Sequence, residues 1–170
     1  ENYMAAIAVV DGLVSDDTVR HVAKTFGGVE HRIELVRIKD GVRYYNDSIA
    51  SSPSRTIAGL RSFPEKVILI AGGYDKHIPY DVLGPEICAH VKKLFLCGTT
   101  APKIRAAVEN CPMEQPEMTD CGDFESAVRA AAAAAESGDV VLMSPASAAF
   151  DQFKNFMVRG NYFKKLIMEL

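Results

Sequence analysis

The sequence has no continuous apolar stretch of the roughly 20 residues that a membrane-spanning helix needs, so a membrane-spanning protein is not expected. It also lacks a basic excess, because 19 Lys and Arg stand against 22 Asp and Glu, which gives a net charge of −3. Nucleic acid is therefore not expected as a partner. Apolar residues are not scarce: 48% of the 170 residues are hydrophobic, enough to bury one packed core.

Metal-binding and disulfide patterns are also missing. The four cysteines and four histidines lie far apart, without a Cys-x-x-Cys pair or the ligand spacing of a zinc site. Cys88 and Cys97 occupy apolar segments, which predicts reduced, buried thiols in a cytoplasmic protein. No signal-peptide pattern opens the sequence. Because it begins with Glu1-Asn2-Tyr3 inside an apolar helical pattern, we expect a fragment of a longer protein.

The first 29 residues have a different pattern from the rest. Residues 3–13 are alanine-rich and apolar, which predicts a buried helix. A capping serine and two aspartates predict a second helix over 18–26, which Gly27-Gly28 would end. We therefore expect residues 1–29 to be a helical remnant of a preceding domain and residues 30–170 to form a domain of their own.

From residue 30 onward, strands and helices alternate. Two segments of alternating polarity, 32–38 and 42–49, flank Lys39-Asp40-Gly41 and predict a hairpin. Short apolar runs predict buried parallel strands. Strands are expected over 67–71, 94–97, 117–119 and 140–143, and helices over 54–62, 81–91, 101–109, 123–137 and 151–169. This alternation is typical of an α/β domain with a mainly parallel sheet.

Three polar or glycine-rich loops follow the predicted strands, over residues 46–54, 72–79 and 144–156. Ligands of such sheets bind outside the carboxyl ends of the strands. Asp47 could accept hydrogen bonds from sugar hydroxyls, and Lys76 could pair with an anion. Each loop alone also fits an ordinary role in helix capping, turn formation or close packing. Their shared position favours one anion-binding site.

Several catalytic patterns are missing from these loops. There is neither a P-loop nor a Gly-x-Gly-x-x-Gly fingerprint, and no nucleophile, metal-ligand set or acid–base pair is visible. The residues therefore predict a binding domain rather than a self-sufficient enzyme.

Three segments of the sequence closely resemble a known family, the UDP-N-acetylmuramoyl-L-alanine:D-glutamate ligases of peptidoglycan synthesis (the MurD family). The segments are Tyr45-Asn46-Asp47-Ser48, the run AGGYDK at 71–76, and the run SPASAAFDQFKNF at 144–156 with Arg159-Gly160-Asn161 behind it. The resemblance covers essentially the whole chain. It implies a Rossmann-like C-terminal domain, with helices on both faces of its sheet, behind the end of a central ATPase domain.

The resemblance also implies site residues. Nucleotide would be bound by Asn2, Arg32 and Asp47. D-glutamate would be bound by Lys76, Ser51 and Phe156 and by the main-chain N–H groups of Ala149 and Phe150. Two positions depart from the family: Ile49 stands where lysine is frequent, and Ala149 where serine is frequent. The second departure leaves only a main-chain contact.

The chemistry that the resemblance implies is ATP-dependent amide ligation. ATP phosphorylates the carboxylate of UDP-MurNAc-L-alanine, the amine of D-glutamate attacks the acyl phosphate, and ADP and phosphate leave. ATP and Mg²⁺ would be bound mainly by the central domain, so this fragment would bind and position without catalytic residues of its own. Alternatives are a sibling ligase for another amino acid and a non-catalytic α/β binding module. A nucleotide-dependent oxidoreductase is disfavoured because no dinucleotide fingerprint follows any strand.

Overall fold

The computed structural model describes residues 2–170, and for Asn2 the backbone alone. Within that range six strands and seven helices occur. The strands are β1 (Glu34–Lys39), β2 (Val42–Asn46), β3 (Val67–Gly72), β4 (Val91–Cys97), β5 (Glu117–Gly122) and β6 (Val140–Met143). The helices are α1 (Asn2–Val10), α2 (Asp16–Thr25), α3 (Pro53–Leu60), α4 (Leu83–His90), α5 (Ala101–Glu109), α6 (Phe124–Ala133) and α7 (Phe156–Glu169).

The strands form one mixed sheet in the order β1-β2-β6-β3-β4-β5. Only β1 is antiparallel, paired with β2, and the other neighbours run parallel. The predicted hairpin is confirmed: Asp40 and Gly41 both have positive φ, 51° and 81°, as a two-residue turn that matches the strand twist requires. Strand β6 lies between β2 and β3, so the ends of these three strands are neighbours.

Helices cover both faces of the sheet, as expected. On one face β3 and β4 pack against α3, α4 and α5, with Leu60, Ile87 and Ile104 fully buried. On the other face the sheet packs against α6 and α7, where Phe163 and Ile167 are fully buried. The central strands β3 and β6 are buried at every position, which explains why they appear in the sequence as continuous apolar runs.

The structure corrects three predictions about the helices. The first helix is not buried: the side chains of residues 3–9 are exposed, because no other described element covers them. Helix α7 begins at Phe156 rather than at 151, because the Asn155 side chain caps it by accepting from Val158 N at 2.9 Å. Helix α6 ends at Ala133 rather than at 137, and the chain then turns through Gly138, whose φ is +98°.

Among the described residues no helix is both long enough and apolar enough to span a membrane.

Candidate functional site

The carboxyl ends of β2, β6 and β3 bring the three predicted loops to one edge of the sheet. Main-chain hydrogen bonds join the loops: Asp47 N donates to Met143 O at 2.8 Å, and Gly72 N donates to Pro145 O at 2.8 Å. A third bond runs from Tyr74 N to Ala148 O at 2.9 Å. The prediction that these loops share one location is therefore confirmed.

A buried arginine of α7 connects the loops further. The Arg159 guanidinium donates to Ser48 Oγ at 3.1 Å and Ser48 O at 3.0 Å, to Ser147 O at 3.0 Å and to Ala148 O at 3.1 Å. Burial lowers the pKa of Arg159 to about 10, so the group remains charged at neutral pH. This charge binds main-chain oxygens rather than a carboxylate, and it fixes the relative position of two loops.

Glycine is required where the loop after β3 begins. Gly73 has a φ of +145°, and a Cβ there would lie 2.4 Å from Ala148 O and 3.1 Å from Arg159 Nη1. At Gly72, whose φ is +116°, a Cβ would lie 1.9 Å from Cys97 O. Any side chain at either position would therefore push the Lys76 loop away from its neighbours.

Asp47 lies at the end of β2 and is buried. Its Oδ2 accepts from Ser144 Oγ at 2.7 Å, and its Oδ1 accepts from Ile33 N at 3.3 Å. Burial raises the pKa of Asp47 to about 6, against the opposing effect of these two hydrogen bonds and of the charges on Arg32 and Arg55. A carboxylate that is half ionised near pH 6 can accept from hydroxyl groups above that pH.

A cavity of about 280 Å³ opens beside Asp47. Two arginines line it, together with small and apolar residues: Arg32, Arg55, Ile33, Ile49, Ala50, Ala58, Gly59, Ser62 and Asp47 itself. Arg32 and Asp47, which the resemblance assigns to one ligand, both line this cavity. The sequence does not single out Arg55, because one arginine in the first turn of a helix forms no recognisable pattern.

His31 contacts the end of β2 and the first residue of α7. Its ring is buried, its φ is +64°, and its Nδ1 lies 2.9 Å from Asn46 Nδ2. The ring packs edge-on against Phe156 with centroids 5.9 Å apart, while Ser48 Oγ donates to Phe156 O at 2.7 Å. The start of α7 is thereby held against the loop after β2.

One acidic cluster offers potential metal ligands in the described part of the chain. Glu30, His31 and Glu34 bring ligand atoms within 4.8 Å of one another. However, Lys164 Nζ already lies 2.5 Å from Glu30 Oε1 and 3.2 Å from Glu34 Oε1. The positive charge at this place is therefore supplied by the protein, and the cluster does not fit a divalent metal.

The residues predicted to bind D-glutamate lie outside the cavity, on the same sheet edge. Lys76 is exposed and has no ion-pair partner between residues 2 and 170. Phe150 is 61% exposed and packs edge-on against Tyr74 at 5.9 Å, and Phe156 and Ser51 are half-buried. The N–H groups of Ala149 and Phe150 face no acceptor in residues 2–170. Asn2 is predicted to bind nucleotide, and its side chain lies outside the described part of the chain.

The loop that carries Lys76 is held by buried hydroxyl groups. Tyr80 OH and Thr100 Oγ1 each lie 2.8 Å from Ser147 Oγ, and Thr100 Oγ1 donates to Gly73 O at 3.2 Å. These contacts attach both ends of the loop to the residues before Ala149. These contacts could not be predicted from the sequence, because isolated hydroxyl residues do not indicate which partner they will contact.

A mainly parallel sheet with polar residues grouped at its carboxyl edge is an architecture typical of ligand-binding α/β domains, and comparison with known proteins gives the family. The family described as "Mur ligase, glutamate ligase domain" matches residues 31–147. The chain belongs to the Mur ligase family.

Two of the curated relatives of this chain carry the same ligase name. The chain is 57% identical to the UDP-N-acetylmuramoylalanine--D-glutamate ligase of Acetivibrio thermocellus, over 98% of this chain and 37% of that protein. It is 51% identical to the enzyme of the same name from Clostridium beijerinckii, over 100% of this chain and 38% of that protein. The chain thus spans little more than a third of the length of these curated relatives.

Solved structures support the fold. A murein peptide ligase from Psychrobacter arcticus superposes with a TM-score of 0.61 at 16% identity, over 99% of this chain and 35% of that one. The bifunctional folylpolyglutamate synthase/dihydrofolate synthase of Yersinia pestis gives 0.62 at 15% identity, over 91% and 35%. At such low identity the likeness shows the shared α/β fold alone.

Proposed function

We propose that this chain is the C-terminal part of an ATP-dependent ligase that adds D-glutamate to UDP-MurNAc-L-alanine in peptidoglycan synthesis. The relatives at 57% and 51% identity carry that ligase name. The observation that supports the proposal most strongly is structural. Three loops that follow three different strands meet at one sheet edge. The loop after β2 lines a mixed-charge cavity together with α3 and Arg32, and the loop after β3 carries a lysine without an ion-pair partner in the described residues.

The domain boundary is part of the proposal. Residues 1–29 would be the end of the central ATPase domain, and residues 30–170 the C-terminal amino-acid-binding domain. Two observations support this division. The family match begins at residue 31, and the apolar side chains Tyr3, Met4 and Val9 of α1 are exposed, as expected of a helix that belongs to another unit.

One half of the site would bind the nucleotide. Asp47 would accept hydrogen bonds from the ribose hydroxyls, and Arg32 would contact an anionic oxygen across the domain interface. Asn2 would contact the adenine. The size of the cavity, about 280 Å³, suits part of a nucleotide rather than all of it. The remainder of the nucleotide would lie against the central domain.

The other half would hold D-glutamate. The Lys76 ammonium would pair with a glutamate carboxylate, and the unpaired N–H groups of Ala149 and Phe150 would donate to carboxylate oxygens. Ser51 would add a hydroxyl, and Phe156 would form an apolar wall. The absence of a side-chain hydroxyl at Ala149 makes the main-chain donors more important here.

The contribution of this domain to the reaction would be positioning. The domain would hold the amine of D-glutamate close to the acyl phosphate and enclose the nucleotide as the domains close, which raises the rate without a proton-transfer group in this chain. Mg²⁺ would be bound by the central domain, as the family resemblance implies. Between residues 3 and 170 the one cluster of potential metal ligands, around Glu30 and Glu34, already contacts Lys164. Unpaired buried cysteines are consistent with a cytoplasmic location.

The experiment compares the 170-residue chain with the longer protein that contains it. Both are assayed for phosphate release that requires ATP, UDP-MurNAc-L-alanine and D-glutamate. The longer protein should be active and the chain alone should fold yet release none. Ligation by the purified chain would contradict a role limited to positioning.

A sibling ligase is the second candidate, because the family itself includes enzymes for other amino acids. Amino-acid competition in the longer protein separates the two. D-glutamate should be the preferred amine donor, and preference for another amino acid would favour the sibling. A protein that binds nucleotide but ligates no amino acid would favour a non-catalytic module.

A further inference from the structure

Two arginines differ from the other seven in what their side chains contact. All nine arginines lie within residues 2–170, and seven donate side-chain hydrogen bonds to carboxylates or main-chain oxygens. Only Arg32 and Arg55 have neither a side-chain hydrogen bond nor an ion pair with any described residue. Both of them line the cavity beside Asp47. The unused guanidinium groups of the domain are thus concentrated at one place.

The Asp47 carboxylate does not account for these two arginines. Its oxygens accept from Ser144 Oγ and Ile33 N, and neither guanidinium donates to them. The cavity therefore carries one carboxylate, already hydrogen-bonded, and two arginines with all side-chain donors available. Its net charge is positive when all three groups are ionised, which favours an anionic ligand.

The position of Arg55 in α3 also favours an anionic ligand. Arg55 is the third residue of the helix, where the partial positive charge of the helix N-terminus disfavours a cation. An arginine here has no compensating acidic partner in its own turn, since the first turn of α3 contains no acidic residue. A bound anion would remove this repulsion by interacting with both the guanidinium and the helix.

We propose that Arg55 is a nucleotide-binding residue that contacts a phosphate oxygen, together with Arg32, while Asp47 holds the ribose. This inference rests on the proposed nucleotide function of the cavity and adds a specific contact to it. Phosphate is the part of a nucleotide that suits Arg55, because the planar guanidinium matches an oxyanion, whereas adenine and ribose carry no negative charge.

The test measures equilibrium binding of ADP and of adenosine to the longer protein, with Arg55→Gln and Arg55→Lys variants. Arg55→Gln should weaken ADP binding about ten-fold, the typical effect of losing one charge-assisted hydrogen bond, and should leave adenosine binding unchanged. The ADP affinity of Arg55→Lys should be intermediate, because lysine keeps the positive charge but lacks the paired, planar N–H donors of a guanidinium group. Arg61→Gln is the matched control, since Arg61 caps the same helix but pairs with Glu86 away from the cavity.

Three results would overturn the proposal. If Arg55→Gln binds ADP like the unchanged protein while Asp47→Asn weakens both ligands, Arg55 has no role and the nucleotide site stands. If Arg55→Gln weakens ADP and adenosine equally, or lowers the unfolding temperature without ligand, its role is structural. If none of Asp47→Asn, Arg32→Gln and Arg55→Gln changes ADP binding, the nucleotide function of the cavity fails as well.

Discussion

Arg159 donates to both the side chain and the main-chain carbonyl of Ser48, a residue 111 positions earlier in the sequence. The same guanidinium reaches Ser147 and Ala148, so one side chain of α7 holds together the loops that follow β2 and β6. Those loops carry Asp47 on one side and Ala149 on the other. The two halves of the candidate site are therefore held in register by a single buried charge.

Removing this charge should destabilise the fold. Arg159→Ala would leave the buried carbonyl oxygens of Ser48 and Ser147 without a donor, and we expect a loss of about 3–5 kcal/mol in the free energy of unfolding. Urea unfolding of the 170-residue chain measures it. Arg129→Ala, an exposed i,i+4 pair with Glu125 on α6, is the control and should cost less than about 1 kcal/mol. Similar losses in the two variants would contradict the structural role of Arg159.

The stability of the domain should depend on the ionisation of Asp47. Burial raises its pKa from 3.8 to about 6, so the folded state favours the protonated form. The contribution of this bound proton to the free energy of unfolding is fully present below about pH 4 and is lost as the pH rises through about 6. At pH 7 Asp47→Asn should be about 2–3 kcal/mol more stable than the unchanged chain, and the difference should shrink toward pH 4.

Asp47→Asn should also change how ADP binding depends on pH. If the ionised carboxylate accepts from ribose hydroxyls, ADP binding to the longer protein should weaken as the pH falls below about 6, and Asp47→Asn should lose that dependence. Thermal unfolding and ADP titration from pH 4 to pH 8 measure both effects. A stability difference that does not change over this range would show that Asp47 titrates normally.

The hydroxyl groups of Tyr80 and Ser147 should be coupled in their contribution to the free energy of unfolding. Their oxygens lie 2.8 Å apart in a buried position, so losing either leaves the other without that partner. A double-mutant cycle with Tyr80→Phe and Ser147→Ala should give a coupling of about 0.5–1.5 kcal/mol in unfolding free energy. Tyr80→Phe with the distant Ser126→Ala should show no coupling. Additive effects of Tyr80→Phe and Ser147→Ala would exclude the hydrogen bond.

Much of the fold could be predicted because burial determines which positions along the sequence are apolar. Strands β3 and β6 are buried on both faces and appear as continuous apolar runs, and the ends of neighbouring parallel strands must share an edge. The location of the candidate site followed from that rule alone. The ligand roles of its residues came from the family resemblance, which reaches beyond what periodicity indicates.

The contacts that hold the site could not be predicted. Arg159 binds main-chain oxygens, and main-chain oxygens are present at every residue, so nothing in the sequence identifies its partners. The exposure of α1 also escaped prediction, because the apolar composition of a helix favours burial but does not identify what would cover the helix. The start of α7 depended on the capping contact of Asn155.

We expect this domain to hold two ligands through separate groups of residues, and steady-state kinetics of the longer protein distinguishes the two groups. Lys76→Ala should raise the KM for D-glutamate about 10- to 100-fold and leave the KM for ATP unchanged, because it removes one charge-assisted contact. Asp47→Ala should raise the KM for ATP and not that for D-glutamate. Lys165→Ala, an exposed lysine on α7, should change neither. Unchanged KM values in both variants, or effects on the opposite ligands, would contradict the account.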